Sequence, residues 1–556
     1  MQHCKQATML AKFLFLIFIL VFSQQLFSAE CSHVAQVVSL EGSAEKKRDG
    51  QETWQQVVLD DQFCAGDAIR TLHNGRAAVR LTNDTLLRLD RDSALTFTHV
   101  GKATPSLLDL LRGAVHFISR TPKSLEVKTP YVNASIEGTE FVVRIRNQAT
   151  EVTVLEGAVV AANEAGLIDL SANQAARASA DQQPVRIEVV KPFEAVVWAL
   201  YYPPLPEAPG KADTLAQEAI KAIVQNRLEE ATELAKQALQ QDSQSAAAYM
   251  AQSYVNQAMF DIPAALANSK KAAELAPQNA LAQARLAEVW LMTGHTRSAR
   301  EAANQAITIN PELSLAHTVL GFASLRDINL NAAKTAFEKA IALDSAAPLP
   351  HLGLGLLEIR QGALESGRER IETSVLLDPN NALLRSYMGK AYYEEKRNDL
   401  AYQQFAIAKE LDPNDPTAWF YESILLQSEN HPVEALQAQQ QAIKLNDNRG
   451  VYRSRQLLDQ DEAARNTASA RIYTDLGFEK MAIDKGATAL SQAPDNFSAH
   501  RFMADINATQ PQRRLAVDSD LLQSKLLQPL NAHTLRPKLS NLQLADGPAR
   551  LSYNEF

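Results

Sequence analysis

The sequence predicts a chain of two unlike halves, an all-β domain at the N-terminus followed by an all-α superhelical solenoid of repeated helix pairs. Two observations carry this. From about Val34 to Val190 apolar residues alternate in short runs separated by turn residues, and from residue 212 small residues recur at a 34-residue step. Alternation with a period of two is the spacing of strands with one buried face. A fixed repeat of about 34 residues marks stacked helix-turn-helix units. The 556 residues are 46% hydrophobic and 21% charged, enough apolar material for more than one core. The net charge of -9 comes without a block of lysine and arginine, which excludes the clustered positive charge that nucleic acid requires. Lys46-Lys47-Arg48, closely followed by Asp49 and Glu52, reads as a solvated loop.

Residues 1–29 have the parts of a secretory signal peptide. Lys5 and Lys12 precede the apolar run Phe13–Phe22, and the small pair Ser28-Ala29 follows. That run is shorter than the roughly 20 residues of a membrane-spanning helix. Glu30 occupies the position before Cys31 where a lipid-attachment cysteine needs a small residue. The expectation is a mature chain exported to the periplasm or cell envelope. Of the three cysteines, Cys4 would leave with the signal peptide. Cys31 and Cys64 remain, an even pair in an oxidising compartment and so a candidate disulfide.

Residues 30–195 form the expected β-domain. Its strand signals include Val34–Leu40, Ala77–Leu81, Leu86–Leu89, Phe141–Ile145, Glu151–Leu155 and Val185–Val190, with turns at Asp49-Gly50, His73-Asn74-Gly75, Asn83-Asp84 and Glu156-Gly157. Gly113, Gly138 and Gly157 suit strand ends or bulges. The stretch resembles the FecR-type domain, the periplasmic part of iron-siderophore signal transducers. The likeness rests on Gly66-Asp-Ala-Ile-Arg-Thr71, Gly75-Arg-Ala-Ala-Val-Arg-Leu81, Leu86-Leu-Arg-Leu89, Leu111-Arg-Gly-Ala-Val-His-Phe117 and Thr129–Phe141. The resemblance implies a β-fold. In the family a cytoplasmic segment acts on a sigma factor, whereas here the domain directly follows the signal peptide, so sigma-factor control is not carried over.

Residues 196–211 are the expected linker, since the prolines and glycine between Pro203 and Gly210 continue neither strand nor helix. Trp198, Tyr201 and Tyr202 read as packing for a domain seam.

Residues 212–449 hold seven contiguous repeats. Ala231, Ala265, Ala299, Ala333, Gly367, Ala401 and Ala435 share one position, and Ala238, Ala272, Ala306, Ala340, Ser374, Ala408 and Ala442 another. Small side chains let antiparallel helices approach closely, and Tyr249, Trp290, Phe337, Tyr392, Phe405 and Trp419 fill the remaining space. Pro277, Pro311, Pro379 and Pro413 stop second helices. The pattern is similar to the tetratricopeptide repeat. Residues 450–462 read as an insertion. Residues 463–530 read as an eighth repeat, with Tyr473, Ala482, Ala489 and Pro494 in phase, followed by capping helices, and 531–556 as a polar tail.

In this repeat family the first helix of each unit faces a concave groove through its second, fifth, ninth and twelfth positions. Transferred to this register, these include Leu315, Phe322, Leu325, Leu349, Leu352, Leu356, Ile359, Tyr393, Phe420 and Ile424, with Lys390 the one cation comparable to those of carboxylate-clamping repeats. The expected ligand is therefore an apolar or amphipathic polypeptide segment. No catalytic, metal or cofactor constellation stands out. His317 and His351 share a repeat position, and with His500 read as packing residues; Gly353-Leu-Gly355 reads as helix packing. The resulting expectation is a non-enzymatic interaction scaffold of the bacterial envelope, binding protein partners and no cofactor. Two alternatives belong beside it: an accessory of an outer-membrane export or polysaccharide secretion system, with a barrel or envelope partner, and a FecR-like envelope signalling component.

Overall fold

The structure is a computed structural model that describes residues 31, 33–101, 105–120, 122–189, 191–206, 210–259, 261–445 and 455–509. The expected signal peptide, the first part of the expected insertion, the end of the capping region and the polar tail lie outside the described residues.

Among the described residues fifteen strands form one continuously paired sheet that folds over on itself. The fold-over comes from three long strands, Ser106–Ile118, Asn133–Arg146 and Ala149–Asn163, each shared between two layers. The first half of Ser106–Ile118 pairs with Ala94–His99 and, in parallel, with Pro122–Lys128; its second half pairs with Leu86–Leu89 and with the end of Asn133–Arg146. The strands change layer at Gly113, Gly138 and Gly157, all with positive φ. A Cβ on Gly113 would lie 2.2 Å from Ser93 Oγ and 2.5 Å from its Cα, so both the backbone conformation and the space require glycine. Between the layers Phe63, Phe97, Val115, Phe117, Phe141 and Val143 are fully buried, with the rings of Phe117 and Phe141 stacked at 4.8 Å.

A 3-10 helix, Pro192–Ala199, packs Phe193, Val196 and Trp198 against Val142 and Leu155. The β-domain's packed structure therefore continues past residue 195 into the start of the expected linker.

Seven helix pairs follow: Lys211–Val224 with Leu228–Gln241, Ala246–Ala258 with Ile262–Leu275, Ala280–Met292 with Thr296–Ile309, Ser314–Arg326 with Leu330–Leu343, Pro348–Arg360 with Leu364–Leu377, Ala382–Glu394 with Asn398–Leu411, and Pro416–Ser428 with Pro432–Leu445. Side chains of Ser245, Asp261, Asn279, Asn329, Asn381 and Asp415 accept first-turn backbone N–H groups, which satisfies donors the helix itself leaves open. Ala265, Ala299, Ala333, Ala401, Ala435, Ala272, Ala306, Ala340, Ala408 and Ala442 are all at most 1% exposed. Glycine sets the closest approaches: a Cβ on Gly353 would meet the Phe337 ring at 2.3 Å, and one on Gly389 the Phe405 ring at 2.5 Å. The arrangement is a tetratricopeptide-like solenoid behind a strand-rich domain.

An eighth pair, Arg455–Asp475 with Glu479–Gln492, is followed by Phe497–Thr509. From Arg455 the expected insertion is helical. The run Arg455-Gln-Leu-Leu-Asp-Gln-Asp-Glu462 has no glycine or proline to interrupt a helix. No helix among the described residues is long and apolar enough to cross a membrane.

Candidate functional site: the concave face and the interdomain seam

Strand Leu86–Leu89 and the second half of Ser106–Ile118 are buried on both faces. Val79, Leu87, Val115, Phe117 and Phe141 point into its own core, and the residues alternating with them meet the solenoid. Val38, Ala78, Leu86 and Ile118 join one apolar cluster with Leu376, Leu377 and Tyr392. Charged residues on the same face are buried with them: Arg88 is 2% exposed, and His116 and Glu140 are 0%.

Each buried charge at this seam has a partner from the other domain or beside it. Arg385, fully buried on the first helix of the sixth pair, grips Glu140 through two bonds, Nη1 to Oε2 at 2.6 Å and Nη2 to Oε1 at 2.7 Å. His116 Nε2 lies 2.9 Å from Glu140 Oε1. Burial pushes the Glu140 carboxyl up, but the Arg385 guanidinium and the His116 ring outweigh it and hold the group well below the usual carboxylate range. Burial lowers His116, outweighing the opposing pull of Glu140. Nearby, Arg120 Nη1 pairs with Glu156 at 2.6 Å and Arg120 Nε donates to Tyr392 Oη at 2.9 Å. Gln404 Nε2 donates to Glu156 at 2.6 Å. Arg88 Nη1 donates to the carbonyls of Leu377 at 2.7 Å and Ala199 at 2.6 Å, capping the end of helix Leu364–Leu377. Arg80 Nη2 donates to Glu369 O at 2.6 Å, and Leu40 N donates to Ser345 Oγ at 2.9 Å.

The seam residues escaped the sequence reading, although several lie inside the motifs that identify the β-domain. One signal stood in the sequence: Arg385 occupies the repeat position held by Gln283, His317 and His351. All four reach back to the carbonyl six residues earlier. Gln283 bonds Pro277 O at 3.3 Å, His317 bonds Pro311 O at 2.9 Å, His351 bonds Ser345 O at 3.2 Å and Arg385 bonds Pro379 O at 2.9 Å. His500 bonds Pro494 O at 2.8 Å in the same manner. The histidines thus tie each first helix to the end of the preceding pair.

The expected groove residues are all half-buried or buried. Leu352, Ile359, Lys390 and Phe420 are buried, while Leu315, Phe322, Leu325, Leu349, Leu356, Tyr393 and Ile424 are half-buried. Leu356, Ile359 and Lys390 line one hollow with Tyr387 and Glu394. Lys390 pairs with Glu394 at 3.1 Å and lies 5.4 Å over the Tyr421 ring, so its charge is already matched.

Cys31 and Cys64 are bonded as a disulfide, with Cα atoms 5.9 Å apart. His33 lies close enough for the three donor atoms to fall within 4.8 Å of one another. Sulfurs joined in a disulfide are not thiolates, the form in which cysteine binds metal.

Residues 67–160 match the FecR protein family. That span contains most of the motifs quoted for the β-domain and much of its seam face. A comparison with curated proteins matches none of them. Among solved structures, the APC/C hetero-tetramer Cut9–Hcn1 is 17% identical, with a TM-score of 0.44, covering 54% of this chain and 57% of that chain. The pilF protein of Pseudomonas aeruginosa is 19% identical, with a TM-score of 0.32, covering 40% of this chain and 96% of its own. A putative anti-sigma factor from Parabacteroides distasonis is 17% identical, with a TM-score of 0.22, covering 25% of this chain and 68% of its own. The chain thus spans little more than half of the first of these.

Proposed function

We propose that this protein is a non-enzymatic interaction scaffold of the bacterial cell envelope, whose solenoid binds an apolar or amphipathic segment of a partner protein on its concave face. The observation that carries the reading is the row of half-buried apolar residues on successive first helices, among them Phe322, Leu356 and Ile424 at one repeat position. A preformed apolar strip on rigid helices binds an extended or helical segment at little ordering cost to itself. Lys390 there is already matched by Glu394. The signal-peptide-like features of residues 1–29 support a location outside the cytoplasm. In the test, the tagged full chain captures partners from envelope extract beside Leu356→Glu and Ile424→Glu variants of unchanged helicity. Loss of the same bands from both variants supports the reading, and bands unchanged by either refute it.

The FecR match favours a second reading, envelope signalling through the β-domain. Under that reading, partners bind strands away from the seam, because the seam face is covered by the solenoid.

A further inference from the structure

The described part of the segment joining the two domains packs against the solenoid, with only Pro204 exposed. After the 3-10 helix, residues 201–206, Tyr-Tyr-Pro-Pro-Leu-Pro, form neither helix nor strand, and Leu205 and Pro206 are buried. Tyr201 is clipped between equivalent residues of two consecutive pairs. Its hydroxyl lies 3.3 Å from Asp344 Oδ2, and its backbone N–H donates to the Asp378 carboxylate. Both aspartates cap second helices, those of the fourth and fifth pairs. Burial first, then Asp344, Tyr254 and Glu288, push the Tyr201 phenol well above its ordinary value. Leu205 joins the cluster of Ala216, Ile220 and Tyr254 in the first two pairs. The segment therefore bridges the ends of the fourth and fifth pairs and the cluster of the first two.

The floor beneath it is built for contact. Tyr254 and Glu288 hold the ninth position of the second and third pairs, the row continued by Phe322, Leu356, Lys390 and Ile424. Tyr254 is 9% exposed, Glu288 4% and Arg285 0%. Arg285 pairs with Glu288 at 2.5 Å and stacks 3.7 Å from the Tyr254 ring, while its Nε donates to Ser253 Oγ at 3.1 Å. Such a network holds the tyrosine ring and the carboxylate in fixed positions. A polyproline-like segment comes already extended, loses little freedom on docking, and is read by aromatic and acceptor groups beside it.

We propose that the concave face of the second to fourth helix pairs is a recognition site for extended, tyrosine-anchored, proline-rich polypeptide, occupied in the resting molecule by the chain's own residues 201–206. The proposal rests on the reading that the concave face takes polypeptide, and it adds the ligand class and an internal competitor. A partner carrying a segment of this kind gains the site by displacing the linker.

The probe is a fluorescein-labelled peptide with the sequence of residues 198–207, followed by anisotropy against the full chain. A double variant, Tyr201→Ser with Leu205→Ser, vacates the site, and Tyr201→Phe, which removes only the hydroxyl, provides a milder opening. The expected result is binding to the double variant at least tenfold tighter than to the unsubstituted chain, with Tyr201→Phe between them. Equal binding to all three chains, or binding to none while circular dichroism shows them folded, overturns the proposal. If the double variant unfolds, Tyr201→Phe decides alone, because it must bind more tightly than the unsubstituted chain. The outcome is separable from that of the scaffold reading, whose test uses Leu356 and Ile424 in the later pairs.

Discussion

Replacing Glu140 by leucine tests whether the β-domain and the solenoid are locked by buried charge. The substitution keeps bulk but leaves Arg385, 0% exposed, without either of its bonds to carboxylate oxygens at 2.6 and 2.7 Å. Removing one partner of a buried pair costs about 3–5 kcal/mol, because the remaining ion stays desolvated and unmatched. At about 2–4 °C per kcal/mol for a cooperative unit of 150–250 residues, scanning calorimetry should show Tm falling by about 6–20 °C. Removing both charges, with Glu140→Leu and Arg385→Met together, should recover most of that loss, since a well-packed apolar pair substitutes for a buried ion pair at little cost. Glu151 supplies the control. It faces Arg177 at 3.9 Å with side chains 35% and 44% exposed, and Glu151→Leu should change stability by less than about 1 kcal/mol. If Glu140→Leu costs no more than Glu151→Leu, the seam is not held by this pair and the locked arrangement is wrong.

Ala340 is fully buried and its carbonyl accepts from Ser314 Oγ at 3.0 Å; Ala340→Phe should overpack the fourth pair and lower stability by about 1–3 kcal/mol in urea unfolding. Burial lowers the His351 pKa to about 4 despite the Ser345 bond. The folded state then binds fewer protons than the unfolded chain, so stability is complete above the unfolded value near 6.5 and declines as pH falls from there towards 4. Asp378, raised by burial to about 6, has the opposite sign and offsets part of the decline below pH 6. His351→Gln should keep the carbonyl bond, as Gln283 does at the same position two repeats earlier, and flatten the stability profile between pH 4 and 6.5. Closing the 33-residue separation of Cys31 and Cys64 should contribute about 3–4 kcal/mol. Thiol titration of denatured, unreduced mature protein should find none, and Cys64→Ser should lower the unfolding midpoint accordingly.

The two halves were legible because each writes its period directly into the chain. The small residues at the 34-residue step mark helix contacts made within and between neighbouring pairs, and the alternation Ala77, Val79, Leu81 marks one buried strand face. What alternation conceals is the fate of the other face. Arg80, Arg88 and His116 fill the polar half of a period-two pattern, which by itself assigns them to solvent. They are enclosed only because the fifth and sixth helix pairs, some 290 residues later in the chain for Arg88 and Leu377, dock against them. Partners that far apart leave no local signature. The linker was legible as a break in secondary structure, since proline supplies that directly, but its seat on Asp344 and Asp378 depends on the curvature of the whole solenoid. The expected groove positions come from the repeat register, and their degree of burial depends on how tightly that superhelix winds.

The bond between Glu140 and Arg385 joins residues 245 apart, which gives synthesis an order in time. At the usual 5–20 residues per second, Glu140 waits roughly 12–50 s for its partner to be made. Through that interval the strands can pair and close their own core, while Ala78, Leu86 and Ile118 remain uncovered beside unmatched charges. Docking of the outer face at Glu140 cannot precede synthesis of the sixth pair, and until then the half-made chain exposes these apolar strands to aggregation or to capture by a chaperone.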